Sequence, residues 1–201
     1  MAASPPPMTP ALTEHRLRGQ ELLRGHFLRV LRDEVRLPDG GEACREYIVH
    51  PGAVVIVPLL QEPDGAIRLV LERQYRYPVR QEIIEFPAGK IDPQEQPLAC
   101  ARRELREETG YTARQWARAG LLHPTVAYST EFIEIWFARD LAPGPRQLDQ
   151  GEFLHVFTAT PAELLRWCRA GQVTDAKTLI AALWLQNMLA GDWPLDWQVI
   201  S

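Results

Sequence analysis

Residues 89–111 read GKIDPQEQPLACARRELREETGY, and nine positions in them obey one spacing rule, G-x5-E-x7-R-E-U-x-E-E-x-G-U, with U apolar or aromatic. Gly89, Glu95, Arg103, Glu104, Leu105, Glu107, Glu108, Gly110 and Tyr111 fill it. At average usage, about 7% for Gly and roughly 6% for each charged type, a chain of this length meets all nine by accident on the order of once in ten million trials.

The second half of the stretch predicts a helix. LACARRELREE is rich in Ala, Leu, Arg and Glu, all strong helix formers. Pro97 suits a first helical position, where its missing N–H costs nothing, and Gly110 stands where a left-handed cap is expected. At roughly 100° per residue, Glu104, Glu107 and Glu108 fall within about a third of a turn of one another. Leu98, Ala101 and Leu105 form the adjacent apolar stripe that docks the helix on a sheet.

Three gathered carboxylates repel one another, and a hard divalent cation relieves that repulsion, since Mg²⁺ takes oxygen ligands and keeps several waters and phosphate oxygens. Arg103 is able to brace one carboxylate, and Gly89 is expected to let the backbone bend so that the Ala88 carbonyl turns toward the ion. The competing interpretation is a solvated helix face laced with i,i+4 pairs, the common fate of an Arg/Glu-rich run. The glycines at both ends and Glu95 upstream set this segment apart from such a run.

The nine positions resemble the signature of the Nudix hydrolases, which cleave nucleoside diphosphates linked to another group. The resemblance implies a mixed α/β (α+β) fold, with a mixed β-sheet sandwiched between helices and an N-terminal antiparallel β arm. It implies metal ligands at Glu104, Glu108 and the Ala88 carbonyl, with Glu107 and Arg103 completing the catalytic group. The expected cofactor is Mg²⁺, with Mn²⁺ as the other candidate.

Outward from the signature, 201 residues suit one domain with a sizeable core or a core plus a small arm. The expected organisation is a disordered Pro-rich tail over 1–10, a β arm over 11–50 that dimerises, and the catalytic domain over 51–201. A net charge of −4 gives no electrostatic case for a nucleic-acid polymer or an anionic membrane as partner. Apolar runs such as AVVIVPLL are too short to span a bilayer, and MAASPPPMTP lacks the basic and apolar regions of a secretory signal. Cys44, Cys100 and Cys168 are widely spaced, which fits reduced thiols and a cytoplasmic protein. None of the five histidines forms H-E-x-x-H, so a zinc hydrolase lacks its ligands.

Strands are expected over 26–37 and 43–50, around a turn at Pro38, Asp39, Gly40 and Gly41, and over 52–60 and 66–75, around Glu62, Pro63, Asp64 and Gly65. IIEF is a short strand leading to Pro87, and further strands are expected near 114–122, 131–138 and 152–158. Helices are expected over 161–171 and 175–189, the second with core-packing spacing at Leu179, Ala182, Leu183, Leu185 and Leu189. Strands interleaved with helices argue for a mixed sheet covered on both faces.

Several segments outside the signature resemble the ADP-ribose pyrophosphatase branch of the family: REYIVHPGAVVIVPL, RQYRYPVRQEIIEF, EFPAGKID, Pro124 in HPTVAYSTE, and LDQGEFLHV. The reaction implied is Mg²⁺-dependent hydrolysis of ADP-ribose, or a related nucleoside diphosphate sugar, to AMP and ribose 5-phosphate. The alternatives are other pyrophosphatase substrates (GDP-mannose, a dinucleotide, an oxidised deoxynucleoside triphosphate) or a module that binds a nucleotide sugar without cleaving it. Arg76, Arg80 and Tyr75 are the substrate-side candidates: arginines grip phosphate oxygens bidentately, and Tyr75, Tyr77, Tyr128 or Phe27 offers a ring for adenine. The base is expected from the loop APGPRQLDQGE, as Glu152 in G-E-F, with Asp149 as the alternative. Relatives in this branch are homodimers, so a homodimer is expected here too.

Overall fold

The run AVVIVPLLQ is apolar on both of its faces and serves two cores at once. In the computed structural model, which describes residues 12–148 and 150–200, it is the central strand of the second of two units. The Pro-rich residues 1–10, expected to be disordered, and Asp149 lie outside the described residues.

The first unit comprises the residues up to His50 together with Thr125–Glu131. It contains a three-stranded antiparallel sheet in the order β1 (His15–Arg24), β2 (Arg29–Arg36), β3 (Glu42–Val49). The expected hairpin is present, but strand β1 went unforeseen. HRLRGQELLR shows no alternation of apolar and polar residues, and it is exposed along its whole length. Ion pairs to β2 register it instead: Arg16 to Asp33 at 3.0 Å, Arg18 to Glu34 at 2.6 Å, and Glu21 to Arg29.

The second unit, Pro51–Pro124 with Phe132–Ser201, is built on β4 (Ala53–Gln61), β5 (Ile67–Arg76), β6 (Gln81–Glu85), β7 (Ala88–Lys90), β8 (Tyr111–Leu122), β9 (Ile133–Pro143), β10 (Leu154–Ala159) and β11 (Gln198–Val199). The strands run β10-β5-β4-β9-β8-β11, with β6 beside β5 and β7 beside β4. β4 and β9 are parallel and the other pairings are antiparallel, so the sheet is mixed. β5 joins β4 only at Leu59–Gln61, while β7 takes the opposite end at Ala53–Val55.

Alternation along β4 sorts the cores. Val54 and Ile56 pack with Cys100, Ala101 and Leu105 of α1 (Pro97–Thr109). Val55, Val57 and Leu59 pack with Leu164 of α2 (Pro161–Arg169) and Ala181, Ala182 and Leu185 of α3 (Ala176–Ala190). The mixed sheet thus lies between helices, as expected. Burying a side chain such as Leu105 or Leu185 stabilises the fold by about 1.5–3 kcal/mol.

Helix α2 opens on a capping box between Thr160 and Glu163, and α3 on Asp175, whose carboxylate accepts the Thr178 N–H at 2.9 Å. The spacing expected to pack α3 is only half right. Ala182 and Leu185 are buried, but Leu179, Leu183 and Leu189 are exposed, and Thr178 and Ala181 take their place inside. The helix is apolar around much of its circumference, so period alone does not select its inner face.

Candidate active site

Helix α1 is laid down by its own ends. Pro97 begins it, and Gly110 closes it with φ of 76° and its N–H on the Arg106 carbonyl. With Ala101 and Leu105 anchored in the core, Glu104 and Glu108 are carried to the border of the sheet, beside β7. Glu108 is buried, and its Oε2 accepts the Ala88 N–H at 3.0 Å. Gly89 does not mark a bend: it pairs in extended backbone with Val54. Its lack of a side chain matters because a Cβ there would overlap the Glu104 carboxylate. The backbone at Ala88 and Gly89 is therefore brought against both carboxylates.

Arg103 organises the acids around it. Its Nε and Nη2 donate to the two oxygens of Glu95 at 3.0 and 2.9 Å. Nη1 donates to Glu104 at 2.7 Å and Glu107 at 3.2 Å, and Nη2 also reaches the Lys90 carbonyl at 3.1 Å. The Arg103 guanidinium beside Glu95 holds that carboxyl down at about 2. Glu95, upstream of the helix, thus works as the counter-ion that fixes Arg103.

The inner acids behave oppositely. Burial pushes the Glu108 carboxyl well above the usual range, and the neighbouring charges of Glu72, Glu104 and Glu152 push it further. Burial also raises Glu104, with Arg103 opposing and Glu107 and Glu152 adding to the rise. Carboxylates from α1, from β5 and from the segment before β10 therefore share one field. Among the described residues no three acidic, His or Cys side chains already close into a cage; Glu104 is turned to Arg103 and Glu108 to the Ala88 N–H. The donor set is all oxygen and electrostatically crowded, and Gly89 clears backbone space at Glu104. Such a set fits a hard divalent cation.

The substrate-side candidates separate. Tyr75 and Glu152 line one groove together with Arg73, Glu82, Arg146 and Phe153. Arg76 lines a second hollow with Glu85, Asp175 and Lys177. Arg80, at φ of 55° in the turn after β5, stacks over Tyr77 with its Cζ 5.8 Å from the ring centre. Of the other aromatic candidates, Tyr77 sits in that same turn, while Phe27 and Tyr128 belong to the first unit.

Three charged residues of this region escaped the sequence reading: Glu72, Glu85 and Lys177. Glu72 and Glu85 are directly opposite in the β5–β6 pairing, and both are buried. Like charges so placed destabilise a sheet unless compensated. Glu85 is compensated. Arg76 grips it with two bonds of 2.7 Å and Lys177 adds a third. Burial drives the Glu85 carboxyl up, but these cations outweigh it and hold it below its usual range. Asp175 at the start of α3 steadies Lys177 at 3.1 Å, and Thr178 accepts the Phe86 N–H at 3.0 Å. Glu72 has no such partner among the described residues. The signal available was an acid set directly after the buried run Leu69–Leu71, where a strand pattern calls for an apolar residue.

Comparison with known proteins bears on this architecture. The NUDIX domain family model matches residues 49–186. An ADP-ribose pyrophosphatase of Bacillus subtilis (strain 168) is 32% identical over 178 residues, which cover 88% of this chain and 94% of that protein. A methanol dehydrogenase activator of Bacillus methanolicus is 32% identical over 175 residues, 86% of this chain and 92% of its own. An ADP-ribose pyrophosphatase of Mycobacterium tuberculosis is 36% identical over 137 residues, 68% and 62% respectively. A crystal structure of an ADP compounds hydrolase superposes with a TM-score of 0.79 at 24% identity, covering 91% of this chain and 98% of that one, a likeness of fold. With the family model spanning most of the chain and a relative matched over nearly its full length, this chain belongs to the Nudix hydrolase family.

Proposed function

We propose that the chain hydrolyses the pyrophosphate of ADP-ribose, or of a closely related nucleoside diphosphate sugar, giving AMP and ribose 5-phosphate. The observation that carries this is the seating of the Ala88–Gly89 backbone against Glu104 and Glu108 while Arg103 braces the remaining acids. The substrate class is supported by the names of relatives matched along most of their length.

Hydrolases of this family use divalent metal ions, and the ion proposed here is Mg²⁺, with Mn²⁺ able to replace it. Glu104, Glu108 and the Ala88 carbonyl would hold it. When bound, a divalent cation at this point neutralises diphosphate charge and acidifies a water. Arg103 keeps Glu104 and Glu107 aimed, and Glu152 takes the proton of the attacking water on its carboxylate. Arg76 presents its Nη1 to a phosphate oxygen while Glu85 holds Nε and Nη2. Tyr75, exposed in the groove of Glu152, and Arg80 contact the nucleotide.

The arm formed by β1–β3 is proposed as the dimerisation element of a homodimer. An edge strand with Leu17, Leu22 and Leu23 exposed is a surface that folded proteins usually cover. Three free cysteines, one of them exposed, support a reducing cytoplasmic location. Among the described residues no helix is long and apolar enough to cross a membrane.

The deciding experiment is a substrate profile at fixed Mg²⁺. ADP-ribose should have the highest kcat/KM among ADP-ribose, GDP-mannose, dinucleoside polyphosphates and 8-oxo-dGTP. Equal or better turnover of 8-oxo-dGTP would overturn the substrate assignment and leave the family untouched.

A further inference from the structure

We infer that Glu72 supplies a carboxylate to the divalent-cation site from the sheet side, facing Glu108 on the helix. The inference rests on the metal-dependent reading above and adds a residue that lies outside the nine-position signature.

Glu72 is fully buried, and neither of its carboxylate oxygens has a hydrogen-bond partner among the described residues. Its neighbours explain why. The two cations of this face, Arg76 and Lys177, are both committed to Glu85, the residue directly across the β5–β6 pair. Cross-strand partners share a face of the sheet, so one acid of the pair is matched and the other is left over. On its far side Glu72 pairs with Val156 of β10, which offers no side-chain donor. A buried carboxylate left without a partner costs free energy.

The strand register leads from Glu72 to the site, because its cross-strand partner Glu85 stands three residues before Ala88, whose N–H donates to Glu108. Of the charged neighbours acting on Glu108, Glu72 is the strongest, ahead of Glu104 and Glu152, and Glu72 in turn feels Glu152. Burial, then the charge of Glu85, pushes the Glu72 carboxyl up to about 8. A cation seated between β5 and α1 would match Glu72 and Glu108 together. It would supply the direct ion pair that Arg76 and Lys177 make with Glu85 and not with Glu72.

The test uses the full-length, metal-free protein titrated with Mn²⁺, with free Mn²⁺ followed by its EPR signal and no substrate present. Wild type, Glu72→Gln and Glu108→Gln are compared, each checked for folding by circular dichroism. Glu72→Gln should weaken Mn²⁺ binding at least ~10-fold or remove one ion per chain, the scale seen when a site loses a supporting group. Binding within that limit and with unchanged stoichiometry overturns the inference. If Glu72→Gln does not fold, Glu72→Leu replaces it, since an apolar side chain is tolerated in a buried strand position, and the same limit applies. Glu108→Gln separates the two levels. Loss in Glu108→Gln with wild-type binding in Glu72→Gln sinks this inference alone, whereas wild-type binding in both variants sinks the metal-site reading with it.

Discussion

Gly89 and Glu104 compete for one volume: a Cβ on Gly89 would overlap the Glu104 carboxylate. The conflict involves the far end of a flexible side chain, so Gly89→Ala should cost the fold little, within about 1 kcal/mol or roughly 2–4 °C in Tm. The carboxylate must swing away, however, and kcat/KM should fall at least ~100-fold. Thermal unfolding and steady-state kinetics check both halves. A variant with normal kinetics would mean that the position of Glu104 is unimportant.

Glu108→Gln should lower kcat by several orders of magnitude while leaving the chain folded. The amide keeps the shape of the side chain and removes the charge that the site concentrates beside Ala88. Turnover close to wild type would refute a metal role for this residue. Glu152→Gln should instead lower the rate with little change in metal affinity. If Asp149→Asn proves the more damaging change, the proton is taken by Asp149.

Lys177→Met should destabilise the chain by about 3–5 kcal/mol, because it leaves buried Glu85 short of one of its two cations. Urea unfolding of the variant checks this. A loss under about 1 kcal/mol would show that Arg76 alone suffices.

Two carboxyls predict opposite pH dependences. Glu95 is held at about 2, below the ordinary 4.5, so its ion pair with Arg103 stabilises the folded chain above pH 4.5. That contribution is lost as pH falls from 4.5 toward 2. Glu95→Gln should flatten the Tm profile in that window.

Glu72, raised from 4.5 to about 8 by burial and Glu85, has the reverse sign. Its contribution is complete below pH 4.5 and is lost as pH rises through about 8, so the metal-free chain should weaken across that range. The loss is on the order of 5 kcal/mol, and Glu72→Gln should remove most of it. A Tm profile of the metal-free variant parallel to wild type would contradict this.

The helix of the signature was legible because everything that makes it is local. Pro97, Gly110, the apolar stripe and the acids lie within one short segment, and their spacing translates directly into angles. The strands flanking Pro38–Gly41 and Pro63–Gly65 were legible for the same reason. Strand β1 was not: its pairing depends on ion pairs with residues of β2, and its own pattern carries no period. The inner face of α3 was misjudged because Leu179 and Leu183 are as apolar as Leu185, and only the position of the sheet distinguishes them.

Sequence alone determined the family, the helix and the set of acids upon it, since those follow from short-range spacing. Only the tertiary structure decided that Gly89 makes room instead of making a bend, that Arg76 and Lys177 are spent on Glu85, and that Glu72 is left unmatched. Each of these depends on the register between strands and on what packs across them. Register is set by the whole sheet at once, and no window of the chain contains it.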